Sequence, residues 1–256
     1  MSNHPNLRNR NIRVDASLTL DGEATNWDPA TFPRYEEAVR RVLNFAFSTH
    51  TGRAVRDAIT RPLTICPWPH ETTCNADARA RVDQDAARRG HRIFWCGDVP
   101  STPVVETGGE RGGTGTGAGT NAFVRFTPRM FGGGGACTVQ ASQPGGRADE
   151  VLLHELVHAI RAIHATRDCS GLSAGYETFD EFAAVLITNM HASELHRPLR
   201  RNHQGFTHVI APERYYNNSQ HSAWTYRLCR QMPALTRRLS RIPYDVCRFN
   251  PFLTVY

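Results

Sequence analysis

Apolar positions along the chain change period several times, and each change predicts an element. From Ile12 to Leu20 apolar and polar residues alternate closely enough for a strand. The Asp28-Pro29 and Phe32-Pro33 region breaks that pattern. Beyond it Ala38, Val42, Leu43, Phe45, Ala46 and Phe47 make a broad stripe, predicting a helix from near Pro33 to Ser48 with a proline at its start. Gly52 to Ile59 continues that helix. Leu63–Cys66 and Arg92–Cys96 read as short strands, separated by a polar, alanine- and arginine-rich piece, Asn75 to Arg89, that reads as helix. In Asn121–Thr127 the residues Ala122, Val124 and Phe126 share one face, so this segment reads as a strand. A helix is predicted from Arg147 to about Ala165, with Asp149 and Glu150 in the first turn, where the helix dipole favours anions. A second helix follows from Tyr176 to about Leu195, and a last amphipathic one runs near Ser222 to Arg241. The fold class expected is α+β, helix-rich with a small sheet. Residues 1–256 read as one domain, with 1–30 as an N-terminal arm, 108–120 and 132–146 as glycine-rich loops, and 147–195 as a central pair of helices.

Composition narrows the class. With 40% apolar and 21% charged residues over 256 positions, the chain can bury a full core. No run approaches the roughly 18 apolar residues of a membrane span, and Met1 to Leu20 lacks the apolar core of a cleavable signal peptide. The expectation is a chain that is cytosolic, or cytosolic until a machine that reads no such signal exports it. All 30 basic residues are arginine, which codon bias explains; the absence of lysine also removes ubiquitin acceptors. The net charge of +6 is scattered over short clusters such as Arg40-Arg41, Arg88-Arg89, Arg200-Arg201 and Arg237-Arg238, which suit solvated helix faces, so no nucleic-acid partner is expected. Seven cysteines without a CxxC pair disfavour a structural cysteine-zinc site and leave open both disulfides and buried thiols. The glycine tracts cannot form a Walker loop, because no lysine is present to reach a phosphate.

The chemistry concentrates in His154-Glu155-Leu156-Val157-His158, an HExxH motif inside the predicted helix. On a helix its histidines lie about 40° apart around the axis, so both can reach one ion, and Glu155 stands beside them within reach of a water. The apolar neighbours Val151, Leu152, Leu153, Ala159 and Ile160 predict burial, where two histidines and a glutamate need partners. The pattern is that of a zinc peptidase with Glu155 as general base. A catalytic zinc takes three protein ligands, and Glu177 and Glu181, four apart on the second helix, compete for third place. Glu181 is preferred because it begins the apolar stretch; the other carboxylate, or Asp180, would orient a ligand from behind. His164 has the spacing of a third histidine in HExxHxxGxxH, but Arg161 stands at the glycine position and an unbroken helix turns His164 about 240° from His158. Gly171-Leu172-Ser173-Ala174-Gly175 matches GxSxG but follows a helix where a nucleophile elbow follows a strand, so it reads as a linker. The Asn121–Thr127 strand, if its edge is exposed, would suit an extended polypeptide.

These residues resemble the gluzincin peptidases. The run Asp180 to Asn189, Ser193-Glu194, Arg200 to Phe206 and Phe249-Asn250-Pro251-Phe252 are similar to bacterial effector metallopeptidases, among them the peptidase domain attached to some VgrG spike proteins of type VI secretion. The likeness runs from about Glu150 to Phe252. It implies a zincin fold, Zn2+ held by His154, His158 and Glu181, and Glu155 as base. It further implies delivery into a competing bacterium or host cell, a protein substrate there, a secretion-apparatus carrier and a cognate immunity protein. His203 is the candidate donor to the tetrahedral oxyanion, with Tyr176, Tyr215, Tyr216 and Tyr226 as alternatives. The alternative function is an arginine-rich module binding nucleic acid or protein, with a structural metal site or an inactive peptidase.

Overall fold

The computed structural model describes residues 9–18, 32–69, 75–80, 119–132, 135–204 and 211–255. The fold is α+β: a small four-stranded mixed sheet under a larger set of helices. Strands β1 (Ile12–Val14), β2 (Leu63–Cys66), β3 (Asp77–Ala80) and β4 (Ala122–Arg125) are ordered β1-β2-β4-β3. β1 and β4 both pair parallel with β2, and β3 pairs antiparallel with β4, with Ala78 opposite Val124. Helices α1 (Phe32–Ala46) and α2 (His50–Ala58) form the crossover from β1 to β2. Leu63, Ile65 and Val124 are fully buried on the central strands, as β-branched and aliphatic residues are in a covered parallel pair.

After a 3-10 turn at Pro128–Phe131 come α3 (Thr138–Ala141), α4 (Ala148–Ile163), α5 (Phe179–Glu194), α6 (Pro212–Tyr216), α7 (Ser219–Gln231) and α8 (Pro233–Leu239). α4 is central, touching β3, β4, α1, α2 and α5. That explains its near-complete burial, from Leu152 to Ile163. The Glu150 carboxylate accepts from the Arg147 amide at 3.3 Å, closing the start of α4. Thr178 caps α5 by accepting from the Glu181 amide at 3.3 Å, which fixes where Asp180 and Glu181 emerge. No helix among the described residues is long and apolar enough to cross a membrane.

Several expectations change. Residues 77–80 of the predicted Asn75–Arg89 helix form β3, because Asp77 finds Arg125 and the ladder of β4 is open beside it; positions 81–89, and the predicted strand Arg92–Cys96, lie outside the described residues. The strand at Asn121–Thr127 offers no edge, since β4 lies between β2 and β3. The first strand ends at Val14, short of the predicted Leu20, and within the segment read as an N-terminal arm Ile12–Val14 pair with β2. α2 does not continue α1: Thr49 accepts from the Gly52 amide and starts a new helix. α5 begins at Phe179 and not Tyr176, and the last helix divides at Met232-Pro233, where proline lacks the amide to continue.

Candidate metal centre

Helix α4 projects His154 and His158 from one face, and the first turn of α5 brings Glu181 to them. His154 Nε2 lies 3.1 Å from His158 Nε2 and 3.1 Å from Glu181 Oε2, and His158 Nε2 lies 3.2 Å from that same oxygen. Three donor atoms therefore mark a nearly equilateral triangle. A tetrahedral ion with bonds of about 2.0–2.1 Å would hold its ligand atoms roughly 3.3–3.4 Å apart. Two imidazole nitrogens and one carboxylate oxygen in this spacing can hold a metal ion, and among the described residues this is the one His, Cys, Asp and Glu group that can. Of the two carboxylates left open by the sequence, Glu181 reaches the histidines and Glu177 does not.

The electrostatics of the triad follow from packing two imidazoles and a carboxylate together in a buried place. Burial opposes the charge on Glu181, yet His158 and His154 outweigh it and hold the carboxyl well below its ordinary range. Burial likewise opposes protonation of His158, but Glu181 and Asp180 overcome it and push the imidazole up to about 10. His154 is driven down to about 3, by burial first and by His158 beside it. Without an ion the pair thus holds one proton more than two neutral imidazoles near neutrality, and a bound ion would displace it.

His158 is oriented from behind. Its Nδ1 meets Asp180 Oδ2 at 2.8 Å. Asp180 also accepts from Arg161 Nε at 2.5 Å, Arg167 Nε at 2.9 Å and the Asp168 amide at 3.2 Å. Burial works against ionisation of Asp180, but Arg167 and Arg161 hold it far below the usual carboxylate range. An ionised acceptor fixes the proton on His158 Nδ1 and leaves Nε2 to the ion.

Glu155 stands apart from this paired chemistry. It is only 8% exposed, and its carboxyl makes no hydrogen bond to any described residue. Burial pushes its carboxyl up to about 8, within reach of a proton-transfer role at neutral pH. His203 stacks on His154 with ring centres 5.5 Å apart. Its Nδ1 meets Glu177 Oε2 at 2.6 Å, and its Nε2 lies 3.2 Å from Glu181 Oε2. The His203 and Gln204 amides both donate to the Gly175 carbonyl, which ties this loop to the segment before α5.

Comparison with protein-family models, with curated proteins and with solved structures gives no match to this chain. The site therefore rests on its own geometry.

Other candidates fall away from the triad. His164 caps the end of α4, exposed, with Nε2 on the Ala58 carbonyl at 2.8 Å. The Tyr176 hydroxyl donates to the Arg201 carbonyl at 2.8 Å, and the buried Tyr215 hydroxyl pairs with Thr225. Tyr226 is exposed on α7, and Tyr216 packs against Phe249. Gly171–Gly175 is a loop between helices, as the linker reading expects. Two residues make contacts at the site that the sequence did not suggest. Glu177, considered as a ligand, instead holds His203; Arg200 is buried, donates to the His203 carbonyl at 2.5 Å and feels the fields of Glu181, Glu177 and Glu155. The Arg200-Arg201 pair had suggested only a solvated face, and burial of the first arginine depends on contacts with Asn189 and Gly145, far away in sequence.

Proposed function

We propose that this chain is a zinc-dependent peptidase with a zincin-like fold, in which His154, His158 and Glu181 hold the ion and Glu155 is the general base. The observation that carries the reading is the meeting of two imidazole nitrogens and one carboxylate oxygen beside a buried carboxyl that no described residue hydrogen-bonds. Zinc in that position supplies Lewis acidity, polarising a carbonyl and lowering the pKa of water towards about 7.

The residues divide the remaining work. Glu155 accepts the proton of the attacking water and returns it to the leaving amine. Its raised pKa suits the second task, and a nearby cation makes the first one easier. His203, anchored through Nδ1 by Glu177 and with Nε2 beside Glu181, is the donor assigned to the developing oxyanion. β3 is one of the two outer strands among the described residues, packs on α4 and contributes Asp77 to the field at Glu155, so an extended substrate adding to that edge would run past the catalytic carboxylate.

The setting we favour is delivery into a target cell by a secretion apparatus, with a carrier and a cognate immunity protein in the producer. Disulfide bonds at Cys137 and Cys169 support a working environment more oxidising than the cytosol. The test is hydrolysis of a proteome-derived peptide mixture. Glu155→Gln is expected to lower the rate by about 10²–10⁴-fold while zinc stays bound. Full activity in that variant would refute the mechanism.

A further inference from the structure

Arg161, at the place where the sequence departs from the longer histidine motif, is fully buried three residues beyond His158. Its Nε donates to Asp180 Oδ1 at 2.5 Å, and a terminal nitrogen donates to Gln231 Oε1 at 2.8 Å. Gln231 Nε2 in turn donates to Asp168 Oδ2 at 2.6 Å, and the Asp168 amide returns to Asp180 Oδ1 at 3.2 Å. The four residues close a ring that draws on α4, α5, the loop between them and the end of α7. Its fourth corner, Asp180, grips His158.

Two arguments separate this ring from ordinary packing. Burying an arginine is expensive, and apolar replacements of buried ion pairs are often neutral or better for stability, so stability is a weak reason to keep Arg161 there. Among the described residues one of its terminal nitrogens, Nη1, even lacks a hydrogen-bond partner. Gln231 must accept from an arginine with one atom and donate to a carboxylate with the other, which an amide does and a carboxylate or an alkyl group does not. The chemistry of both residues matches their two contacts.

We infer that Arg161 and Gln231 are positioning residues for the metal: their ring fixes the plane of Asp180, which keeps His158 Nε2 on the point shared with His154 and Glu181, and makes α7 part of the metal centre. The inference rests on the metal reading above.

The experiment measures the zinc dissociation constant by chelator competition for the full chain, Arg161→Met, Gln231→Leu and Leu239→Ala. Leu239 is a buried α8 residue, so its truncation loosens the core without touching the ring. Arg161→Met and Gln231→Leu are expected to bind zinc about 10–100-fold more weakly, the usual cost of losing an outer partner of a ligand, with Leu239→Ala near wild type. Gln231→Leu removes two hydrogen bonds and no charge, so it carries the test if Arg161→Met does not fold. Equal affinity in the folded ring variants, or equal weakening in Leu239→Ala, overturns the inference while the metal reading stands. Failure of the unaltered chain to bind zinc overturns both.

Discussion

Glu155 illustrates how a single residue's surroundings set its chemistry. Its carboxyl rises to about 8 because burial disfavours the anion and no described donor compensates. In the metal-free protein the folded pKa therefore lies above the unfolded value of 4.5. The sign follows directly: ionisation costs stability progressively as pH rises from 4.5 towards 8. Metal-free Glu155→Gln should gain melting temperature over wild type at pH 8 and much less at pH 5, measured by scanning calorimetry. The same difference at both pH values would contradict the burial of this carboxylate. Much of this residue-level picture was legible in the sequence, because HExxH on an apolar helix already demands convergence of its histidines. His203 beside the site was expected, but its partner was not: Glu177 lies 26 positions earlier and meets it only because two loops close on each other.

At the scale of elements, helix ends decide what reaches the site. Thr178 sets the first turn of α5, and Glu194 closes its last turn by accepting from the His50 and Thr51 amides, each at 2.7 Å, at the start of α2. The Glu194 side chain is almost fully buried, so these are charge-assisted bonds in a dry place. Glu194→Ala should cost about 1–3 kcal/mol in urea unfolding, the usual penalty for stranding such donors; a loss within about 0.5 kcal/mol, as for a plain surface change, would deny the cap a role. Long periodic helices such as α1, α4 and α5 were readable from the apolar repeat. β3 was not, since Asp77–Ala80 carries the alanine and arginine of a helix former and is a strand through its ladder to β4 and the Asp77–Arg125 pair. α6 was missed because five residues are too few for a periodicity to show.

Across the described residues, helices α4 and α5 sit between the sheet on one side and the C-terminal helices on the other, and both sides send polar groups inward. Arg167 spans part of that distance, bonded to Asp180 and 3.4 Å from the Ala78 carbonyl of β3. Covalent ties add to this: Cys137 precedes α3 and Cys169 lies in the loop joining α4 and α5, and both are disulfide-bonded, whereas Cys66, Cys229 and Cys247 are buried thiols. The odd cysteine count had left both states open, because sequence does not say which thiols meet. Reduction should lower stability by about 2–5 kcal/mol, read as a fall in melting temperature with reductant present; an unchanged melting temperature would mean that the bonds carry no load. The central claim is most directly tested by zinc content of the purified chain, by plasma mass spectrometry, beside His158→Ala, Glu181→Gln and Glu155→Gln. One zinc per chain, kept in Glu155→Gln and lost or sharply reduced in the other two, is the predicted result. No zinc after equilibration with the ion, or full zinc in His158→Ala, would contradict the account.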